Sequence, residues 1–338
     1  MITSHSRHFR NRSGPSLSID LLAVLLLFSA VLLVGCGGSK ASSDDGVSVG
    51  NGGPDELFGE TASFEVIAGK PQRVMVGMGT ADGRVLHGGS VTFTFRSPDD
   101  ANADAVSTTA TYLPVPGSPS LTGNPTIGRP SEGIGVYAAT EVTLPVPGVW
   151  TIDVQRSGTK STRLAQTAVE VLEKAKAADV GARAPSTDNP VDSSPVAREL
   201  LDSRSGPNGM GTELPDPALH TKVINDLVRD KVPFVVVVST PAYCQSKFCG
   251  PITDLIDSIA KEPASKDVAF VHLEVFAKFG GADTTELNRW VIPWINGEGD
   301  GHEPWVFVVD RTGKITDRFD NLVDENSLRS AIAVVSAS

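Results

Sequence analysis

The run V-P-F-V-V-V-V at residues 232–238 constrains this 338-residue chain more than any other segment. It carries no charge, and its β-branched residues favour extended backbone, so it predicts a strand covered on both faces. Directly after it, residues 240–251 read T-P-A-Y-C-Q-S-K-F-C-G-P and hold two of the three cysteines, Cys244 and Cys249. Beyond them Ile252, Leu255, Ile256 and Ile259 recur at helical spacing. A cysteine pair at a strand-to-helix junction points to thiol–disulfide chemistry or to soft-metal ligation.

Local geometry narrows the arrangement. Pro251 suits a helix start, where its missing N–H has no intrahelical partner to lose. Cys249 then lies at the helix N-terminus, where backbone N–H groups and the macrodipole favour a thiolate. Two cysteines five apart within one helix are too distant to bridge, so Cys244 belongs in the loop, curled back towards the helix start. In that position a disulfide is allowed, and Cys244 offers the more exposed sulfur.

The N-terminus reads as an export signal. Arg7, Arg10 and Arg12 precede an apolar stretch at 21–34, shorter than a spanning helix needs, which ends in L-V-G-C at Cys36. Residues 36–60 are rich in Gly, Ser and Asp and read as a flexible tether. Residues 61–172 show period-two alternation with turn punctuation: Val91, Phe93 and Phe95 against Thr92, Thr94 and Arg96, then Trp150, Ile152 and Val154 against Thr151, Asp153 and Gln155. That pattern predicts a β-sandwich of about seven strands. His87, near a turn, reads as solvated. Residues 173–212, rich in Ala, Pro, Ser and Asp, read as a linker. From residue 213 to 338 strands and helices alternate: helical spacing at Leu219, Val223, Ile224 and Leu227, a strand at 268–276, a short helix at 284–291, a hairpin at 305–319, and a last helix capped by Asp324.

Several strings resemble known families. L-V-G-C is similar to the bacterial lipobox, which implies lipidation of Cys36, cleavage of residues 1–35, and a body anchored by lipid on the extracytoplasmic side of the membrane. Residues 135–154 loosely resemble the closing hairpin of Ig-like domains of the FixH/YtkA type. V-V-V-V-S-T-P-A-Y-C, Glu303-Pro304-Trp305 and the hairpin V-F-V-V-D-R-T-G-K-I resemble the thioredoxin superfamily, and V-G-A-R-A-P at 180–185 is similar to the lead-in of TlpA-type members. The expected fold is therefore multidomain: an all-β Ig-like sandwich followed by an α/β thioredoxin fold over 213–338.

The resemblance implies a thiol–disulfide oxidoreductase with Cys244 and Cys249 as its redox pair. Pro304 takes the place of the family's cis-proline, and Tyr243, Pro304 and Trp305 line a groove for protein thiol or disulfide clients in the cell envelope. Four residues separate the cysteines where the family has two, and no aspartate occupies the preceding strand. A structural staple in a non-catalytic binding module is the first alternative. The second is copper handling of the Sco type, with Cys244, Cys249 and His302 as ligands and copper as cofactor; otherwise no cofactor is expected. Trp290, Trp294 and Trp305 read as core. The net charge of -11 and the lack of a Lys/Arg cluster argue against nucleic acid as a partner. The chain carries no GxGxxG, Walker A, HExxH or nucleophile-elbow motif, so nucleotide binding and hydrolysis have no support.

Overall fold

Period-two alternation builds the first half of the described chain. In the computed structural model, which describes residues 53, 55–98, 105–157, 163–205, 213–244, 247–278, 286–295 and 302–337, it yields ten strands. They are β1 (Leu57–Thr61), β2 (Val66–Ile67), β3 (Gln72–Thr80), β4 (Val85–His87), β5 (Ser90–Arg96), β6 (Val106–Pro114), β7 (Thr126–Gly128), β8 (Gly135–Val142), β9 (Gly148–Arg156) and β10 (Arg163–Leu172). They form one sheet in the order β2-β10-β9-β5-β6-β8-β3-β4-β7, with β1 also on β3. The register sets Phe93 opposite Val154 and Phe95 opposite Ile152, so the apolar positions of β5 and β9 share a face. Thr61 Oγ1 on β1 donates to Ala168 O on β10 at 2.6 Å, so the sheet curls until β1, paired on β3, meets β10. Phe93, Phe95, Tyr137, Leu144 and Ile152 are enclosed inside the curl. Each such side chain stabilises the fold by roughly 1.5–3 kcal/mol.

The valine run is strand β11 (Phe234–Ser239), and every residue of it is buried. It pairs in parallel with β12 (Ala269–Glu274) and antiparallel with β13 (Trp305–Val309), which pairs with β14 (Ile315–Asp320). One face, Val235, Val237, Val306 and Val308, packs on helices α2 (Cys249–Ala260) and α3 (Glu325–Ala337). The other face, Phe234, Val236, Val238 and Phe307, is covered by α1 (Ile224–Arg229) and by Val291, Trp294 and Ile295. Ser327 N donates to Asp324 Oδ1 at 2.7 Å, which caps α3 where the sequence places its start.

The expected fold class is not met. Of the described residues 37% lie in strands and 18% in helices, and only three α-helices form beside two large sheets. The first half is one curled ten-stranded sheet rather than a seven-stranded sandwich. The second half lacks the regular strand–helix alternation of an α/β thioredoxin fold. Leu219 falls in a single 3-10 turn, Pro217–His220, and α1 has six residues. The helix expected at 284–291 is absent over the described residues 286–295, which form turns and one isolated bridge, Phe276 to Leu287. The physical reason is visible in Val291, Trp294 and Ile295. They pack as a compact turn against Trp305, Phe307 and Val309 of β13, and all three are buried there.

Within the stretch read as a linker, the described residues Thr187, Asn189, Leu201, Asp202 and Ser203 are buried. Gly50–Ser338 is a single compact unit. The outer face of the first sheet contributes Met75, Val115 and Val136 to the core that holds α2 and α3. Polar contacts complete the join: Phe64 N donates to Asp320 Oδ2 at 2.6 Å, Asn321 Nδ2 to Ala62 O at 2.8 Å, and Arg73 Nη2 to Leu322 O at 2.5 Å. Cys36 and the export signal lie outside the described residues. Among those residues no helix is long and apolar enough to cross a membrane.

Candidate functional site

The cysteine loop is shaped by its backbone. After β11 ends, Tyr243 N and Cys244 N both donate to Thr240 O, at 3.2 and 3.1 Å, which folds the chain into a turn. Lys247 then adopts φ 62°, in the left-handed region, and the chain reverses into α2 at Cys249. Pro251 sits in the first turn of α2, where no N–H is needed. Cys244 and Cys249 form a disulfide with their Cα atoms 5.9 Å apart. Cys249 is fully buried, whereas Cys244 is half-buried, so solvent reaches the pair from the Cys244 side.

A carboxyl group joins the two sulfurs. One carboxyl oxygen of Glu303 and both sulfurs lie within 4.8 Å of one another. The residue as a whole is half-buried, but its Oε2 is sealed and has no hydrogen-bond partner among the described residues. Burial, with repulsion from Glu274 second, pushes the Glu303 carboxyl well above the ordinary carboxylate range, against hydrogen bonds from Thr240. Burial thus favours the neutral acid form of Glu303 beside the disulfide. Glu274, on β12, accepts a short hydrogen bond from Thr240 Oγ1, and Ser203 N donates to its Oε2 at 2.7 Å. Burial pushes Glu274 up to about 8, although Thr240 and Ser203 oppose the shift.

A polar chain leads inward from the cysteines. Thr253 Oγ1 donates to Cys249 O at 2.8 Å and meets Ser239 Oγ at 2.8 Å, which in turn meets His272 Nε2 at 3.0 Å. Around His272 stand Asp202, Asp216 and His220, all buried. His220 Nε2 lies 3.1 Å from Asp216 Oδ1, and the two imidazole rings meet edge-on at 5.2 Å. Arg204 reaches Asp202 Oδ2 at 2.6 Å, Asp216 Oδ2 at 3.0 Å and Asp254 Oδ1 at 2.7 Å. Burial opposes ionisation of Asp216, but the His220 hydrogen bond and the charges of His272, His220 and Arg204 prevail and hold it well below the usual carboxylate range. Burial lowers His272, against the pull of Asp202 and Asp216.

The residues singled out in the sequence are thus only partly brought together. Cys244, Cys249 and Tyr243 share the loop, and Pro304 follows Glu303 through a cis peptide bond. Trp305 belongs to the core of the second sheet and also borders the cleft beside β3. It is 3% exposed, stacked on Phe307 at 5.8 Å with the Arg318 guanidinium over its ring, because its place on β13 turns it into the core. Trp294 is also core, its Nε1 donating to Thr187 Oγ1 at 2.9 Å. His302 is exposed and stacks on Phe64 at 5.1 Å; the ligand atom grouped with the two sulfurs is from Glu303 instead. His87 is buried rather than solvated. A cleft of about 750 Å³ runs between β3 and the β13–β14 hairpin, with Arg73, Tyr112 and Phe319 on its walls, and neither cysteine lines it.

Glu303 and the buried quartet escaped the sequence reading. One signal was present: His272 and Glu274 interrupt the otherwise apolar string A-F-V-H-L-E of β12, and a buried strand tolerates such residues only with partners.

No family model matches the chain, and no curated protein matches it. Among solved structures, one described as the bacterial hydrophobin BslA is 14% identical over 36% of this chain and 95% of its own, with a TM-score of 0.20. A likeness that low carries no argument about fold or function.

Proposed function

We propose that this protein is a lipid-anchored, extracytoplasmic thiol–disulfide oxidoreductase whose Cys244–Cys249 pair exchanges with protein thiols or disulfides of the cell envelope. The observation that carries the reading is a disulfide between half-buried Cys244 and fully buried Cys249, with the Glu303 carboxyl, whose ionisation burial opposes, beside both sulfurs. The lipobox-like string at Cys36 supports the location, and a persistent disulfide suits an oxidising compartment.

The exchange balances as follows. A client thiolate attacks Cys244 Sγ, the Cys244–Cys249 bond breaks, and a mixed disulfide joins Cys244 to the client. The electron pair leaves on Cys249 Sγ, inside the protein, where an unpaired charge is costly. Glu303 donates its proton to that sulfur and becomes the carboxylate. A second client thiolate then attacks the client's own sulfur in the mixed disulfide, releasing Cys244 as thiolate. The client loses two electrons and the pair gains them. Run backwards, the same steps reduce a client disulfide, and the potential of the pair against its client sets the direction.

The test is thiol trapping of the purified protein across graded redox poise, together with insulin reduction and the oxidation of a reduced unfolded protein. The expected result is reversible cycling at a defined potential and turnover in at least one direction. A pair still oxidised below about -300 mV, the range of structural disulfides, with no turnover in either assay, sinks the proposal and leaves a staple.

A further inference from the structure

Asp202, Asp216, His220 and His272 reach one place from three parts of the chain: the turn before Ser203–Ser205, the turn Pro217–His220, and β12. Each offers one ligand atom, and the four atoms lie within 4.8 Å of one another in a buried pocket of the fold. His272 Nε2 lies 3.1 Å from Ser239 O and 3.0 Å from Ser239 Oγ. A carbonyl oxygen only accepts, so Nε2 carries the proton and Nδ1 of the neutral ring carries a lone pair. That Nδ1 has no hydrogen-bond partner among the described residues and faces Asp202 Oδ2 at 3.6 Å, too far for a hydrogen bond. Two lone pairs facing each other in a dry interior repel unless a positive charge, a proton or a metal ion, sits between them. His220 repeats the situation: its Nε2 is on Asp216, and its Nδ1 is sealed without a partner.

The surroundings are those of a ligand set. Metal-binding imidazoles donate their other N–H to a carbonyl or carboxylate, and ligating carboxylates are themselves hydrogen-bonded. Ser239 O plays the first part for His272, and Arg204 the second for Asp202 and Asp216. Arg204 stands against three carboxylates, Asp202, Asp216 and Asp254, which leaves two negative charges for a divalent ion to offset. Two nitrogens and two oxygens suit a four-coordinate ion of the zinc class rather than calcium or magnesium, which take six or more oxygens.

We propose that Asp202, Asp216, His220 and His272 bind one divalent transition-metal ion of the zinc class as a structural site that ties residues 202–220 to β12. Four protein ligands and full burial leave no open position, so the ion holds rather than reacts. Its grip extends to the cysteine loop, because Ser203 Oγ accepts from Ala242 N at 3.1 Å. The site stands whether or not the cysteine pair cycles.

The test uses the purified full protein, stripped with chelator, loaded with Zn²⁺ or Co²⁺, and freed of excess by gel filtration. One ion per chain by mass spectrometry is expected, with a rise in melting temperature on loading. The Co²⁺ form should show tetrahedral visible bands without thiolate charge-transfer absorption. His220→Gln and Asp216→Asn, with wild-type near-UV dichroism, should each weaken binding at least tenfold, whereas Cys244→Ser/Cys249→Ser should retain the ion. No ion on folded wild-type protein overturns the proposal. So does wild-type affinity in His220→Gln, or a thiolate band that vanishes in the double-serine variant. If His220→Gln does not fold, the Co²⁺ spectrum of the wild type still separates the buried quartet from the cysteines.

Discussion

Breaking the Cys244–Cys249 bond should weaken this fold by about 2 kcal/mol and leave it folded. The sequence separation of 5 makes the closed loop very short. The chain-entropy expression then gives an unfolded-state constraint of about 7 cal/mol/K, or about 2 kcal/mol at 25 °C. The start of α2 does not depend on that bridge. Ile252, Ile256 and Ile259 are enclosed against Val235 and Val237, and each contributes roughly 1.5–3 kcal/mol. Thr253 adds two hydrogen bonds at 2.8 Å. A body of this size should therefore melt no more than about 4–8 °C lower without the bond. The comparison is Cys244→Ser/Cys249→Ser against oxidised wild type, by denaturant and thermal unfolding followed through tryptophan fluorescence. A loss above about 4 kcal/mol, or no cooperative transition in the variant, refutes the reasoning, since the bond would then hold the fold rather than ride on it.

Two further predictions concern the residues around that bond. Glu303→Gln preserves shape but cannot pass a proton, so exchange through Cys249 should slow by about 10²–10⁴-fold, the usual worth of a positioned acid or base; an unchanged rate would remove Glu303 from the chemistry. Glu303 and Glu274 both have raised folded-state values, so their contribution is full below the unfolded value near 4.5 and is lost as pH rises, for Glu274 through about 8. The urea midpoint of the wild type should accordingly fall from about pH 5 to pH 8, and Glu303→Gln should flatten that slope. At the join between the sheets, Asn321 holds φ 55° and donates to Ala62 O at 2.8 Å. Asn321→Ala should lose about 1–3 kcal/mol in denaturant unfolding, and Asn321→Gly less, because glycine relieves the backbone while losing the same bond.

Local signals in the sequence proved reliable where one segment decides its own structure. Alternation at Val91, Phe93 and Phe95 set the inward face of β5, and the valine run became a strand buried on both faces. Asp324 capped α3, and the hairpin of β13 and β14 formed where its turn residues stand. The place of Cys244 in the loop followed from the impossibility of bridging five residues within a helix, and the disulfide allowed there is formed. Helices read from spacing alone were less secure: the apolar residues near Leu219 and at 286–295 cover a sheet face as turns, because the neighbouring surface determines which backbone buries them best.

What the amino-acid order determined by itself was therefore periodic or adjacent: strands, caps, a hairpin and a cysteine pair. Only the tertiary structure decided the rest. It curled ten strands into one sheet, turned Trp305 into the core, set Glu303 against the sulfurs, and drew Asp202, Asp216 and His220 to His272. A carboxyl or imidazole is an ordinary surface group until burial removes water and leaves it only its neighbours. Those neighbours are chosen by packing between segments distant in the chain, which no local pattern records.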